Sequence, residues 1–437
     1  MKKTIFFSLT FILTLRLANA QNDPYMLIHT VSKDSTHTVE FEEFFNYDSN
    51  GKQTESIEYS YLGGTTSGNK SNWSYDNITG YVTEKIYYNF DNITSTWEPN
   101  YKTEFTQYDS NGNILEEISS FYDNVISNQW EYSLKTVYTY NNNLLDNKED
   151  FYYDDTDPNN PWKEQSKTVY TYSSGLLTLE TFQMWNPSQN QYEDYTKNHY
   201  TYDSNNLLIE KRYENFDANN SVWVNSTKTI YTYDNSSKLI SEESYGWNMQ
   251  NNIWEGNNKS VYTYDNLDNL SSGEFYEYDT SNNQWYSAPK YIGSATHDNS
   301  VDYNNLGLPE EYNQGIQLAL FNHKLDSFNF TKLDPNTGSY NFFESHEYFY
   351  TPLSVLGVNT GELADVNIYP NPVSTTLNIE GSKNLTDYKI FLYDMQGKQV
   401  LYRTGQNQIN VQTLKPGNYI YRIVAKEGIK NGVMIKN

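Results

Sequence analysis

Along most of this chain apolar residues alternate singly with polar ones instead of running in blocks, and the apolar positions are largely aromatic. In Trp162-Lys-Glu-Gln-Ser-Lys-Thr-Val-Tyr-Thr-Tyr172 the residues Trp162, Tyr170 and Tyr172 share parity. A strand would place them on one face, with Lys167, Val169 and Thr171 on the other. The pattern recurs. Triplets of the Tyr-Thr-Tyr kind end at Tyr108, Tyr140, Tyr172, Tyr202, Tyr233 and Tyr264, at spacings of 32, 32, 30, 31 and 31 residues. Ten or eleven residues before each lies an aromatic: Trp97, Trp130, Trp162, Tyr192, Trp223 and Trp254. Trp285 continues that series, and Tyr47-Asp48 to Gly51 and Trp73 to Asn77 are degenerate earlier copies.

Each unit reads as a β-hairpin. The turn is clearest at Asp109-Ser-Asn-Gly112, a strong hairpin signal. A return strand follows, such as Leu207 to Tyr213, and an Asn/Asp-rich loop such as Phe216 to Asn220 leads to the next Trp. Two strands in about 31 residues are too few for a propeller blade, which needs four over about 40 to 45 residues. The fold class predicted is all-β: an elongated antiparallel hairpin array coiling into a spiral or shell, followed by a small Ig-like β-sandwich. Lys135, Lys167, Lys197, Lys228 and Lys259, with Glu180, Glu210, Glu242 and Glu274 on the return strands, are expected to form cross-strand pairs on the solvent face. The array is assigned to residues 21–286. The period fails from about Ser287, so 287–350 is read as an irregular β cap and 351–365 as a linker.

Composition sharpens this picture. With 43 Tyr, 9 Trp and 20 Phe the chain is too aromatic for acidic disorder, and it has no cysteine to form a disulfide or a thiolate metal site. The net charge is -25, yet the residues from Leu363 onward are net basic, so the acid is concentrated in the array. Such a field repels nucleic acid and anionic lipid. Residues 1–20 read as a signal peptide: Met1-Lys2-Lys3, an apolar run to Leu15 and Ala18-Asn-Ala20 before a mature start at Gln21. No later stretch has the roughly 18 apolar residues of a membrane span.

The end of the chain carries a different set of phrases. Val366-Asn-Ile-Tyr369-Pro370-Asn371-Pro372 precedes Leu377-Asn-Ile379, and Ile390-Phe-Leu-Tyr-Asp394-Met-Gln-Gly397 gives a strand and turn. Leu414-Lys-Pro-Gly417-Asn-Tyr419-Ile-Tyr421 and Gly432-Val-Met-Ile-Lys436 follow. In this order and at the terminus, residues 366–437 resemble the type A C-terminal sorting domain of type IX secretion cargo, found in Bacteroidota. The resemblance implies an Ig-like sandwich, the type IX translocon and a surface sortase as partners, and a secreted or outer-surface location. The Tyr-Asp-x-x-Gly/Asn phrase of the array resembles the tyrosine-aspartate repeats of the RHS type, although those have a shorter period and lack the Trp.

Candidate chemistry is sparse. The histidines at 29, 37, 199, 297, 323 and 346 form no catalytic or metal motif, and His199 occupies the place that Val137, Val169, Ile230 and Val261 hold in other units. No cofactor is implied. Asp/Asn loops such as Asp154 to Asn159 and Asp109 to Asn113 could offer weak calcium ligands, but turn chemistry explains them. The chain is therefore expected not to be an enzyme but a secreted adhesive or structural repeat protein. The aromatic rows, Trp162 with Tyr170 and Tyr172 among them, are read as one layer of a packed core; a carbohydrate-binding module, with a glycan or surface polymer stacked on those rows, is the alternative. A hydrolase with its site between Ser287 and Tyr350 is a third reading.

Overall fold

The computed structural model describes residues 24–94, 96–313, 320–353, 366–381, 388–394, 399–405, 407–425 and 428–437. The signal peptide, the 351–365 linker beyond Leu353, and Gly397 lie outside these residues. The chain is all-β, with a short α-helical turn at Glu310–Asn313 and 3-10 turns at Leu62–Gly64 and Tyr303–Asn305 among the described residues.

One 21-stranded sheet holds the array. Each hairpin pairs antiparallel with the next, from Tyr25–Lys33 through Leu270–Tyr276. The stretch expected as a cap then adds three long strands, Tyr291–Asp302, His323–Leu333 and Tyr340–Pro352. The last of these pairs antiparallel with the first, Tyr25 opposite Pro352 and Lys33 opposite Ser345. The sheet therefore closes on itself, which removes the edges an open spiral would expose.

Two bulges per unit set which side chains point inward. Against the preceding strand, the register slips by one residue at Asn100, Ser133, Gln165, Tyr195, Ser226 and Asn257. Each of these stands three residues after the unit's Trp or Tyr. Because strand side chains alternate, one extra residue swaps faces. The shared face expected for Trp162, Tyr170 and Tyr172 is thus corrected: Trp162 lies on one face and the two tyrosines on the other. A second slip follows each turn, for example between Leu177 and Leu179 or between Leu208 and Glu210.

The second slip explains the second Tyr of four of the six triplets. A bulge disrupts the ladder and leaves a main-chain carbonyl to be satisfied. The Tyr202 hydroxyl donates to Leu177 O at 2.9 Å, Tyr233 to Leu208 O at 2.9 Å and Tyr264 to Leu239 O at 2.6 Å. Tyr108 reaches Val82 O at 2.6 Å, and Tyr75 reaches Gln53 O at 2.7 Å. Each acceptor precedes a bulge in the neighbouring hairpin, so these hydroxyls tie unit to unit.

The tyrosine face is the inside of the ring. Tyr231 and Tyr262 are buried with Leu208, Leu239 and Leu270 beneath Leu320 and Phe321, which belong to the excursion between Asp302 and His323. Earlier in that excursion Glu310 accepts from Trp73 Nε1 at 3.1 Å and pairs with Lys85 at 3.3 Å. The Tyr312 hydroxyl donates to Glu43 at 2.8 Å. One short segment thus touches strands far apart around the ring, which the concave side permits.

The C-terminal module is a separate packing problem. Strands Val366–Tyr369, Thr376–Gly381 and Gln408–Asn410 form one sheet. Lys389–Asp394, Gln399–Thr404, Gly417–Ala425 and Gly428–Lys436 form the other. Between them lies an aliphatic core that includes Leu377, Ile390, Leu392, Ile409, Ile423 and Met434, each fully buried.

Candidate functional site

Two surfaces are candidates: an aromatic belt outside the ring, and the joints of the C-terminal sandwich. The belt follows from the first bulge, which turns each unit's Trp outward. There it meets an aromatic from the far side of its own loop. Ring centroids are 5.1 Å apart in Phe90–Trp97, Tyr122–Trp130 and Tyr153–Trp162. The spacing is 5.0 Å in Trp185–Tyr192, 5.2 Å in Phe216–Trp223, 4.9 Å in Trp247–Trp254 and 5.0 Å in Tyr278–Trp285. These are tilted or edge-on geometries that the ring quadrupoles favour.

The repeated lysines serve the belt. Lys102 sits over Trp130 at 5.4 Å, Lys135 over Trp162 at 5.4 Å, Lys197 over Trp223 at 4.0 Å and Lys228 over Trp254 at 4.9 Å. Each reaches across one strand to the next unit's ring, a cation–π contact worth about 0.5–1 kcal/mol at exposed sites. Their carboxylate partners differ from those expected. Lys167 pairs with Glu149 at 2.7 Å, Lys259 with Glu243 at 2.8 Å and Lys102 with Glu104 at 2.8 Å. Glu180 and Glu242 stand opposite Tyr170 and Tyr231 and so face inward, because the bulge after the turn shifts the return strand's parity. There partial burial pushes the Glu242 carboxyl up to about 7.

His199 also departs from its expected packing role. Its Nε2 lies 2.7 Å from Glu214, which Arg212 approaches at 3.0 Å. The other histidines are dispersed: His29 stacks on Phe44, His37 on Phe342, and His297 meets Leu270 O at 2.9 Å. His323 contacts Asn269 at 3.0 Å, and His346 meets Ser32 at 2.7 Å. The Asp loops bond to themselves. Asp109 Oδ1 accepts from the amides of Asn111 at 2.8 Å and Asn113 at 2.9 Å, and Asp203, Asp234 and Asp265 repeat this. Hydrogen bonds from Asn113 hold the Asp109 carboxyl below the usual carboxylate range. Gly112, at φ +86°, supplies the left-handed residue of that turn. Among the described residues no group of three or more His, Asp or Glu could hold a metal ion.

In the sandwich, the Tyr-Pro-Asn-Pro phrase meets the terminal strand. Asn371 Nδ2 donates to Val433 O at 2.8 Å, and its Oδ1 accepts from Ile435 N at 2.7 Å. Pro370 and Pro372 flank it on the surface, and Tyr369 is exposed. Leu414 packs on the core, and Gly417 opens a strand. The Tyr419 hydroxyl donates to Lys415 O at 2.8 Å, a corner contact of the kind found in Ig sandwiches. Asp394 ends its strand opposite Tyr419. Asn371 as a double tie was not evident from the sequence, where it reads only as part of a proline-rich turn.

This is a closed hairpin ring followed by an Ig-like sandwich, and comparison with known proteins assigns the second part. Residues 367–437 match the family described as secretion system C-terminal sorting domain. The chain thereby carries the type IX export signal, which directs it to the cell surface or the extracellular space through that machinery. No helix among the described residues is long and apolar enough to cross a membrane. A search of curated proteins found no match. Among solved structures, a Bacteroides fragilis protein of unknown function is 18% identical, over 29% of this chain and 91% of its own, at a TM-score of 0.25. A porin-like protein from Bacteroides uniformis is 8% identical over 74% of this chain and 98% of its own, at 0.28. The TcdB2-TccC3 structure is 12% identical over 94% of this chain and 22% of its own, at 0.27.

Proposed function

We propose that the chain is a non-catalytic surface protein, exported by the type IX pathway, whose ring has an adhesive or structural role. The observation that carries this reading is the commitment of the repeated polar groups to the fold itself. Tyr hydroxyls bond bulge carbonyls, Asp carboxylates bond their own turn amides, and the lysines cover the tryptophans. Active sites ordinarily break a repeat, and these groups keep to it. Cells lacking the chain should lose attachment to their growth surface, while the purified protein should turn over no polysaccharide, peptide or ester. Turnover abolished by changing a single carboxylate would overturn the proposal. Removal of residues 363–437 should retain the chain in the periplasm, read by protease shaving of whole cells.

A second reading, carbohydrate binding, is supported by one specific observation. The tryptophans are half-buried on the outer face of the ring and not sealed in its interior.

A further inference from the structure

The belt has a regular pitch. Its aromatic pairs recur once per hairpin, which is every second strand, so at about 4.8 Å between strands they stand about 10 Å apart. That pitch is close to the disaccharide rise of a straight β-1,4-linked glycan, whose sugar rings present flat C–H faces to aromatic rings. The Tyr153–Trp162 pair is flanked by an open ring: Tyr132, which lies 5.9 Å from Trp162, is 51% exposed.

Polar groups border each platform. Lys70, Lys135 and Lys228 form no ion pair among the described residues; their ammonium groups lie over the Trp97, Trp162 and Trp254 rings at 5.6, 5.4 and 4.9 Å, and a ligand's hydroxyls would meet the N–H groups turned away from each ring. At neighbouring positions Glu149 and Glu104 offer acceptors beside Lys167 and Lys102. The belt thus mixes both signs locally, within an array that carries nearly all the chain's excess acid. A polyanion would meet net repulsion there, whereas a neutral chain would not.

We propose that the belt binds an extended, uncharged β-1,4-linked polysaccharide lying across the strands, one disaccharide per hairpin. The inference rests on the carbohydrate-binding reading and gives it a ligand class and a register. Trp130, Trp162 and Tyr192 make three successive platforms, the span of a hexasaccharide.

Calorimetric titration of the full chain with cellobiose, cellotetraose and cellohexaose tests it. Affinity should climb with each disaccharide, by about tenfold or more in all, as successive platforms engage. Trp162→Ala should weaken cellohexaose by about tenfold or more, and Trp162→Tyr should recover most of it. Should Trp162→Ala fail to keep its β-type circular dichroism, Tyr132→Ser on the same platform supplies the measurement. Maltohexaose, whose chain coils, and polygalacturonate, which is charged, should not compete. If none of these glycans binds, the carbohydrate reading falls and takes this proposal with it, while the adhesive ring stands. If cellohexaose binds but ignores both substitutions, or polygalacturonate binds more tightly, the belt proposal is overturned and carbohydrate binding is kept. A concentration-dependent dimer in sedimentation that Tyr132→Ser abolishes would also overturn it, giving the belt to a second copy of the chain.

Discussion

The ring and the sandwich are both antiparallel β, yet they are held together differently. The sandwich has an apolar centre in which Leu377, Ile390, Leu392, Ile409 and Ile423 are all at 0% exposure. The ring buries Thr136, Ser166, Thr196, Ser260 and Asn269 alongside Tyr231 and Leu208. Aliphatic packing stabilises the first through area removed from water. The second depends more on its closed ladder, its tyrosine hydroxyls and its aromatic pairs. A repeat rich in Tyr, Asn and Thr can form a large stable sheet when closure leaves no edge and each bulge carbonyl finds a donor.

Four substitutions sharpen this contrast, taken from the largest effect down. Leu392→Ala removes a fully buried side chain from a dense core and should destabilise the sandwich by about 2–5 kcal/mol. Pulse proteolysis should show that domain opening first, with the ring intact, and a simultaneous loss of both would show the two to be one cooperative unit. Glu242→Gln probes the polar interior. Burial raises this carboxyl from 4.5 to about 7, so it favours the folded chain only while protonated. That support is whole below pH 4.5 and lost as pH rises through about 7, a difference on the order of 2–3 kcal/mol. The variant should therefore melt higher than wild type at pH 8 and match it at pH 4. Equal melting temperatures at both would mean that the ring interior is well hydrated at that point.

The smallest effect is expected for Tyr233→Phe, which keeps the ring and removes the donor to Leu208 O. The carbonyl beside the bulge then lacks its partner, at a cost of about 1–2 kcal/mol. Urea melts of this variant and of Tyr264→Phe should shift alike, since both hydroxyls perform the same task. No shift in either would remove the hydroxyl ties from the account of the ring.

Much of this was legible in the sequence. The period near 31 residues, the hairpin in each unit and the Asp-turn chemistry follow from spacing and side-chain type alone. The sorting domain is spelled out in phrases such as Tyr369 to Pro372 and Leu414 to Tyr419. The faces were harder. A parity count through Trp162 to Tyr172 cannot see the bulge at Gln165, since no Gly or Pro marks it and bulge positions across the units carry Asn, Ser, Gln and Tyr. The same blindness assigned Glu180 and Glu242 to solvent.

Local chemistry fixed what each residue prefers: aromatics and threonines favour strands, and Asp with Asn or Gly favours turns. Those preferences act over a few residues, so the sequence alone determined the hairpins, their number and the module at the end. Only the tertiary structure decided that Tyr340–Pro352 would pair with Tyr25–Lys33, because ring closure depends on twist summed over every strand between them. Closure in turn decides which side is inside, and so whether a given tryptophan is core or surface.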